Sequence, residues 1–180
     1  MEENTKNQDF LGTEPVGKLL FKLALPAIAA QLINVLYNIV DRVYLGHMKD
    51  VGGLALTGVG VCAPILMIIS AFAALVAMGG APLASIELGK QNREGAERIM
   101  GSCFALQVVL SLVLTAVCLI WNEPLLLLFG ASENTIPYAT QYINVYALGT
   151  IFVQLTLGMN AFISAQGFAK TSMLSTLIGA

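Results

Sequence analysis

The chain has 180 residues, 57% of them hydrophobic and 11% charged, with a formal net charge of -2. Soluble domains carry about 25% charged residues, and a water-soluble globule of this size could not hide so much apolar surface. The weak net charge and the lack of a basic patch exclude a nucleic-acid binder, which leaves an all-α integral membrane protein, a polytopic helix bundle.

Residues 1–16 are polar, contain Gly12 and Pro15, and read as a short cytoplasmic lead. They do not form a signal peptide, because the apolar run that follows is too long and lacks a convincing cleavage site. The first predicted helix covers 17–45, with 23–40 free of charge. Gln31, Asn34, Asn38 and Asp41 recur along it at steps of three, four and three. At 100° per residue they fall within an arc of about 80°, one stripe on one helix face. Amides and carboxylates in hydrocarbon need partners, so this stripe is expected to face other helices or a water-filled cavity. Pro26, early in the same run, is a candidate bend, static or moving. Tyr37 and Tyr44 lie beside the stripe, where they can stack on an aromatic cation or simply pack.

Residues 51–86 carry no charge and predict a second helix over 53–86. That run exceeds a ~30 Å hydrocarbon core, so the helix is expected to be tilted, bent or interrupted. Gly52, Gly53, Gly58, Gly60, Pro64, Gly79, Gly80 and Pro82 are the candidate positions. Ala73, Ala77, Ala81 and Ser85, four apart, form a small-residue ridge for close helix packing. The most charged stretch is ELGKQNREGAER at 87–98. Gly89 is expected to end one helix, and Glu94 and Arg98 to pair at i,i+4 on the next. The third helix is predicted over 95–121, closed by the interfacial residue type Trp121. Glu123, Pro124 and 130–135 form a connection. An interfacial turn near Pro137 and Tyr138 then leads into a fourth helix over 138–167. The fifth run, 171–180, is shorter than the roughly 20 residues a span needs. The chain is therefore expected to be an N-terminal piece of a longer protein.

Lys6, Lys18, Lys22, Lys90, Arg93, Arg98 and Lys170 fall on one side of this arrangement, and only Arg42 and Lys49 on the other. The positive-inside rule places the N-terminus in the cytoplasm and Asp41 toward the outer half of the first helix. Cys62, Cys103 and Cys118 stand alone in apolar runs and read as small core residues. His47, the only histidine, sits in an external link. No catalytic constellation or phosphate loop appears, which makes a membrane-embedded enzyme a distant third reading. The glycines at 52–60 lack the Lys and Ser/Thr of a P-loop.

Four stretches resemble one known family: LALPAIAAQLINVLYNIVDRVYLGH at 23–47, GGAPLASIELGKQNREGAER at 79–98, LLLLFGASENT at 125–135 and GMNAFISAQGFAK at 158–170. In order and spacing they look like the N-terminal part of the multidrug and toxic compound extrusion (MATE) transporters. The resemblance implies twelve helices in two six-helix lobes, with 17–180 as part of the first lobe. It implies efflux of cationic or amphipathic small molecules across the plasma membrane by antiport with Na+ or H+. No cofactor is expected, and no metal beyond Na+ at Asp41. The family's coupling acid maps onto Asp41, its helix-bending proline onto Pro26, and a fourth-helix Asn onto Asn160. Gln31, Asn34, Tyr37 and Asn38 would line the substrate cavity with Asn160. Partners are expected to be the lipid bilayer, the small-molecule substrate, and further helices supplied by the same full-length chain or by a partner chain. Two alternatives stand beside this reading: a non-transporting truncated half-bundle, and a lipid-linked oligosaccharide flippase of the same superfamily.

Overall fold

A backbone in hydrocarbon must satisfy its own hydrogen bonds, so an apolar chain of this kind folds as helices. The computed structural model describes residues 15–49 and 51–179, and no strand occurs among them. Six helices follow in order: α1 (Val16–Gly46), α2 (Gly52–Gly89), α3 (Arg93–Ile120), α4 (Asn122–Leu128), α5 (Ile136–Ala165) and α6 (Ala169–Gly179). Helices α1, α2, α3 and α5 are long and apolar enough to cross a membrane. Residues 1–14, nearly all of the expected polar lead, lie outside the described residues.

The structure sharpens three of these expectations. Helix α2 is not interrupted: it runs for 38 residues through Pro64 and Pro82. Two of its glycines, Gly58 and Gly80, serve close approach to neighbouring helices. A Cβ on Gly58 would lie 3.2 Å from Ala139 N and from Tyr138 Cβ, and one on Gly80 would run into Cys103 and Phe162. Pro137 comes just after the expected turn, which falls at 133–135. It occupies the first turn of α5, where a missing N–H breaks no helical bond. The connection after Trp121 contains an additional short helix, α4, ended by Gly130 in a left-handed conformation at φ 93. The expected α2–α3 link does form as read. Gly89 is the last residue of α2, and Arg98 pairs with Glu94 at 2.8 Å. Asn92 caps α3 by accepting from the Gly95 N–H at 3.1 Å.

Contact pairs set the topology of the core. Gly58 meets Ala139, Ile69 O accepts from Gln154, and Gly80 meets Phe162. Rising numbers pair with rising numbers, so α2 and α5 run parallel. Gln107 packs on Gly158, Thr115 Oγ1 donates to Ala147 O at 2.9 Å, and Asn122 Nδ2 donates to Asn144 Oδ1 at 3.0 Å. Here rising pairs with falling, so α3 is antiparallel to α5. Where this trio meets α4 it buries Cys62, Ile65, Ile69, Cys118, Ala139, Ile143 and Ala147 together with Leu126 of α4. Ala73, Ala77 and Ala81 of the predicted ridge are buried as well. The three thiols are free. Lipid tails are as apolar as leucine, so close van der Waals contact and interhelical hydrogen bonds hold such a trio together.

Helix α1 is different. None of its residues is buried. It packs mainly against α6 and, more weakly, against α2.

Candidate functional site

Helix geometry alone assembles the site on α1. Residues three and four apart share a face, so Tyr37, Asp41 and Tyr44 line up with Val40, Leu45 and Met48 around an open recess of about 250 Å³. The walls are aromatic and aliphatic, and the Asp41 carboxylate is the acid in them. Tyr37 is 52% and Tyr44 81% exposed. Asp41 takes part in no ion pair among the described residues; the pairs Lys90–Glu87 and Arg98–Glu94 lie at the α2–α3 link.

The rest of the predicted stripe lies on the same face. Gln31, Asn34, Asn38 and Asp41 are all exposed, and no described helix covers them. Asn38 turns back along the helix, its Nδ2 donating to Asn34 O at 2.7 Å and to Asn34 Oδ1 at 3.1 Å. Pro26 lies within α1, which continues through it.

Asn160 stands apart from these residues. On α5 it is two residues before Phe162, which meets Gly80 near the far end of α2. Asp41 lies just before the tight link in which Gly46 touches Gly52, at the near end of α2. The two candidate residues therefore occupy opposite ends of the bundle. Gly58 and Gly80 alone are separated by on the order of 30 Å of helix. Asn160 faces α6 instead: its Nδ2 donates to Thr176 Oγ1 at 3.3 Å, and one turn on Ser164 Oγ donates to Ser172 Oγ at 2.9 Å. Asn160 Oδ1 is buried without a hydrogen-bond partner.

Sequence reasoning missed one neighbour of the acid. Tyr142 of α5 lies within electrostatic range of Asp41 and of Tyr37. It stacks on Tyr146, with ring centroids 6.3 Å apart and planes at 24°. Their i,i+4 spacing was legible, but nothing in the sequence told which helix they would meet. Around Asp41 the arrangement offers one negative charge and a set of tyrosine rings, chemistry suited to an organic cation or a small metal cation and not to bond cleavage.

Several known proteins are similar to this chain. A probable multidrug resistance protein NorM of Pseudomonas putida is 29% identical over 163 residues, which is 90% of this chain and 34% of that protein. The multidrug export protein MepA of Staphylococcus haemolyticus is 24% identical over 160 residues, 89% of this chain and 35% of that protein. An FAD transporter of Shewanella oneidensis is 25% identical over 173 residues, 96% of this chain and 38% of that protein. The crystal structure of a MATE protein in complex with MaD5 superposes with a TM-score of 0.81 at 23% identity, covering 90% of this chain and 36% of that one. That likeness establishes the fold: a helical bundle corresponding to part of the MATE architecture. The chain spans about a third of the length of these proteins. Residues 26–180 match the MatE family model, and the chain belongs to the MatE family.

Proposed function

We propose that this chain carries the coupling acid of a multidrug efflux transporter that exports cationic or amphipathic small molecules by antiport with Na+ or H+. The observation that carries the reading is the Asp41 carboxylate in a tyrosine-lined recess on an otherwise apolar stretch of helix. Family membership and the names of the multidrug relatives support it. A carboxylate set between water and an apolar wall can hold a proton, a sodium ion or a cationic substrate, one at a time. That exclusivity is the elementary requirement of exchange. The available driving force is adequate: one charge moved through 100 mV is worth ~2.3 kcal/mol, and a tenfold gradient ~1.4 kcal/mol. In this reading Pro26 lets α1 bend between inward- and outward-open forms, and Gln31, Asn34 and Asn38 supply neutral hydrogen bonds along the path. The protein sits in the cell membrane with its N-terminus in the cytoplasm, as the Lys and Arg asymmetry favours.

The similarity to an FAD transporter favours a second reading, export of an anionic nucleotide. Asp41 opposes it, because a carboxylate repels phosphate.

One experiment separates the readings. Cells or vesicles with the protein are loaded with ethidium or with FAD, and efflux is followed on imposing a Na+ or H+ gradient. Gradient-driven ethidium efflux that disappears in Asp41→Asn is expected. Unchanged ethidium efflux in that variant removes Asp41 from the mechanism, and FAD efflux without ethidium efflux selects the second reading. A cysteine placed at the N-terminus is expected to resist impermeant maleimide in intact cells; labelling there would invert the topology.

A further inference from the structure

Four polar side chains are fully buried at the centre of the α2–α3–α5 trio. They are Gln107 and Ser111 on α3 and Thr150 and Gln154 on α5, each 0% exposed. They lie about midway along their helices and so near mid-depth in a bilayer. Gln107 Nε2 donates to Ala73 O at 3.3 Å and Gln154 Nε2 to Ile69 O at 2.9 Å. The hydroxyl protons are used as well: Ser111 donates to Val108 O at 2.8 Å and Thr150 to Tyr146 O at 3.2 Å. Two acceptors are left over. Gln107 Oε1 and Gln154 Oε1 are both buried and lack any hydrogen-bond partner.

Turning either amide over does not remove the problem. Its oxygen would then face a backbone carbonyl, and its NH2 group would be the orphan. A buried carbonyl without a donor is costly anywhere, and most of all in hydrocarbon. Nor can a donor arrive on another helix. Both glutamines are sealed within this chain by α2, α3 and α5 themselves. Whatever satisfies them must be small enough to sit inside the trio and must bring hydrogen-bond donors.

The geometry suits one such guest. Ile69 and Ala73 are four residues apart on α2, so the carbonyls that hold the two amide heads are separated by about 6 Å along the axis. A water that donates both hydrogens, each bond about 2.8 Å and the two at a near-tetrahedral angle, bridges oxygens about 4.5 Å apart, the separation left when the two amide oxygens turn toward each other between their Nε2 contacts. A cation fits less well. None of the four side chains is charged, and most of the oxygens nearby already accept bonds, so little would replace the hydration an ion gives up. We infer that Gln107 and Gln154 form a buried water site at the middle of the α2–α3–α5 trio, in which one trapped water donates to both Oε1 atoms. The water ties α3 and α5 to adjacent turns of α2 and completes the polar centre of the trio.

The test is a structure of the protein in lipid nanodiscs at a resolution that shows ordered water, together with melting temperatures of variants. Density within hydrogen-bond distance of both Oε1 atoms is expected; a dry site with both oxygens bonded to protein donors overturns the inference. Gln107→Leu and Gln154→Leu should each lower the melting temperature, and the double variant should lose less than the sum. The reason is that the second change removes the acceptor stranded by the first. Strictly additive losses would count against a shared guest. Melting in sodium chloride and in choline chloride separates water from a cation. A stabilisation by Na+ that vanishes in Gln154→Leu but survives in Asp41→Asn would replace the water by an ion and overturn the proposal. Should the leucine variants fail to fold, the density in the parent protein decides alone.

Discussion

Helix α1 and the α2–α3–α5 trio are built from similarly apolar stretches, yet they use their polar residues in opposite ways. The trio turns Gln107, Ser111, Thr150 and Gln154 inward, where each is sealed from the surface. Helix α1 buries nothing and leaves Gln31, Asn34, Asn38 and Asp41 uncovered on one face. Exposed leucines and valines are no liability for a helix in lipid, because they gain little by leaving it. Exposed amides and a carboxylate are. The contrast teaches that the polar groups of the trio stabilise packing, whereas those of α1 await something from outside the described helices: water, an ion, a substrate or another helix.

The sharpest way to break this contrast is to make one substitution in both places. Gly58→Leu forces a side chain to within 3.2 Å of the α5 backbone at Ala139, so α2 and α5 must separate. A loss of about 3 kcal/mol is expected, read as a fall in the unfolding midpoint. Gly17→Leu on α1 meets nothing within 4 Å and should stay within about 0.5 kcal/mol of the parent. Equal losses would mean that α1 is packed as tightly as the trio. Asp41→Asn should divide the two regions by function. Coupled efflux is expected to fall at least ~10-fold, about 1.4 kcal/mol in the barrier, while the melting temperature barely moves. A large fall in stability would instead make Asp41 a packing residue. Pro26→Ala restores a backbone donor in α1. Turnover should slow severalfold with substrate affinity kept; an unchanged rate would make the proline a static feature. Arg98→Ala breaks an exposed pair whose side chains are 79% and 77% accessible. It should cost under about 0.5 kcal/mol in chemical denaturation, the smallest effect of the set.

Much of the fold is legible in the sequence because lipid imposes simple rules. Charge-free runs of sufficient length mark four spanning helices, and all four are present. Gly89 and the Glu94–Arg98 spacing mark the α2–α3 link. Small residues mislead on α2. Glycine and proline raise the odds of a break, but Gly58 and Gly80 sit where neighbouring helices need room, and packing there outweighs local propensity. The short α4 is not legible, because seven residues carry too little periodicity to separate a helix from a loop. For the site, steps of three and four suffice to put Tyr37, Asp41 and Tyr44 on one helix face. The same reasoning cannot keep Asn160 apart from Asp41, since one-dimensional spacing says nothing about the end of the bundle on which a residue of another helix will sit.

The sequence by itself determined the helical membrane class, the four spans and the polar stripe on α1. Each of these depends only on hydropathy and on the 3.6-residue period of a single helix. Only the tertiary structure decided that α2 and α5 run side by side in the same direction, that Tyr142 comes within range of Asp41, and that Gln107 and Gln154 meet two adjacent turns of α2. Those facts depend on which helix faces which, and at what height. That choice is made by the fit of small residues against large ones across helices far apart in the chain.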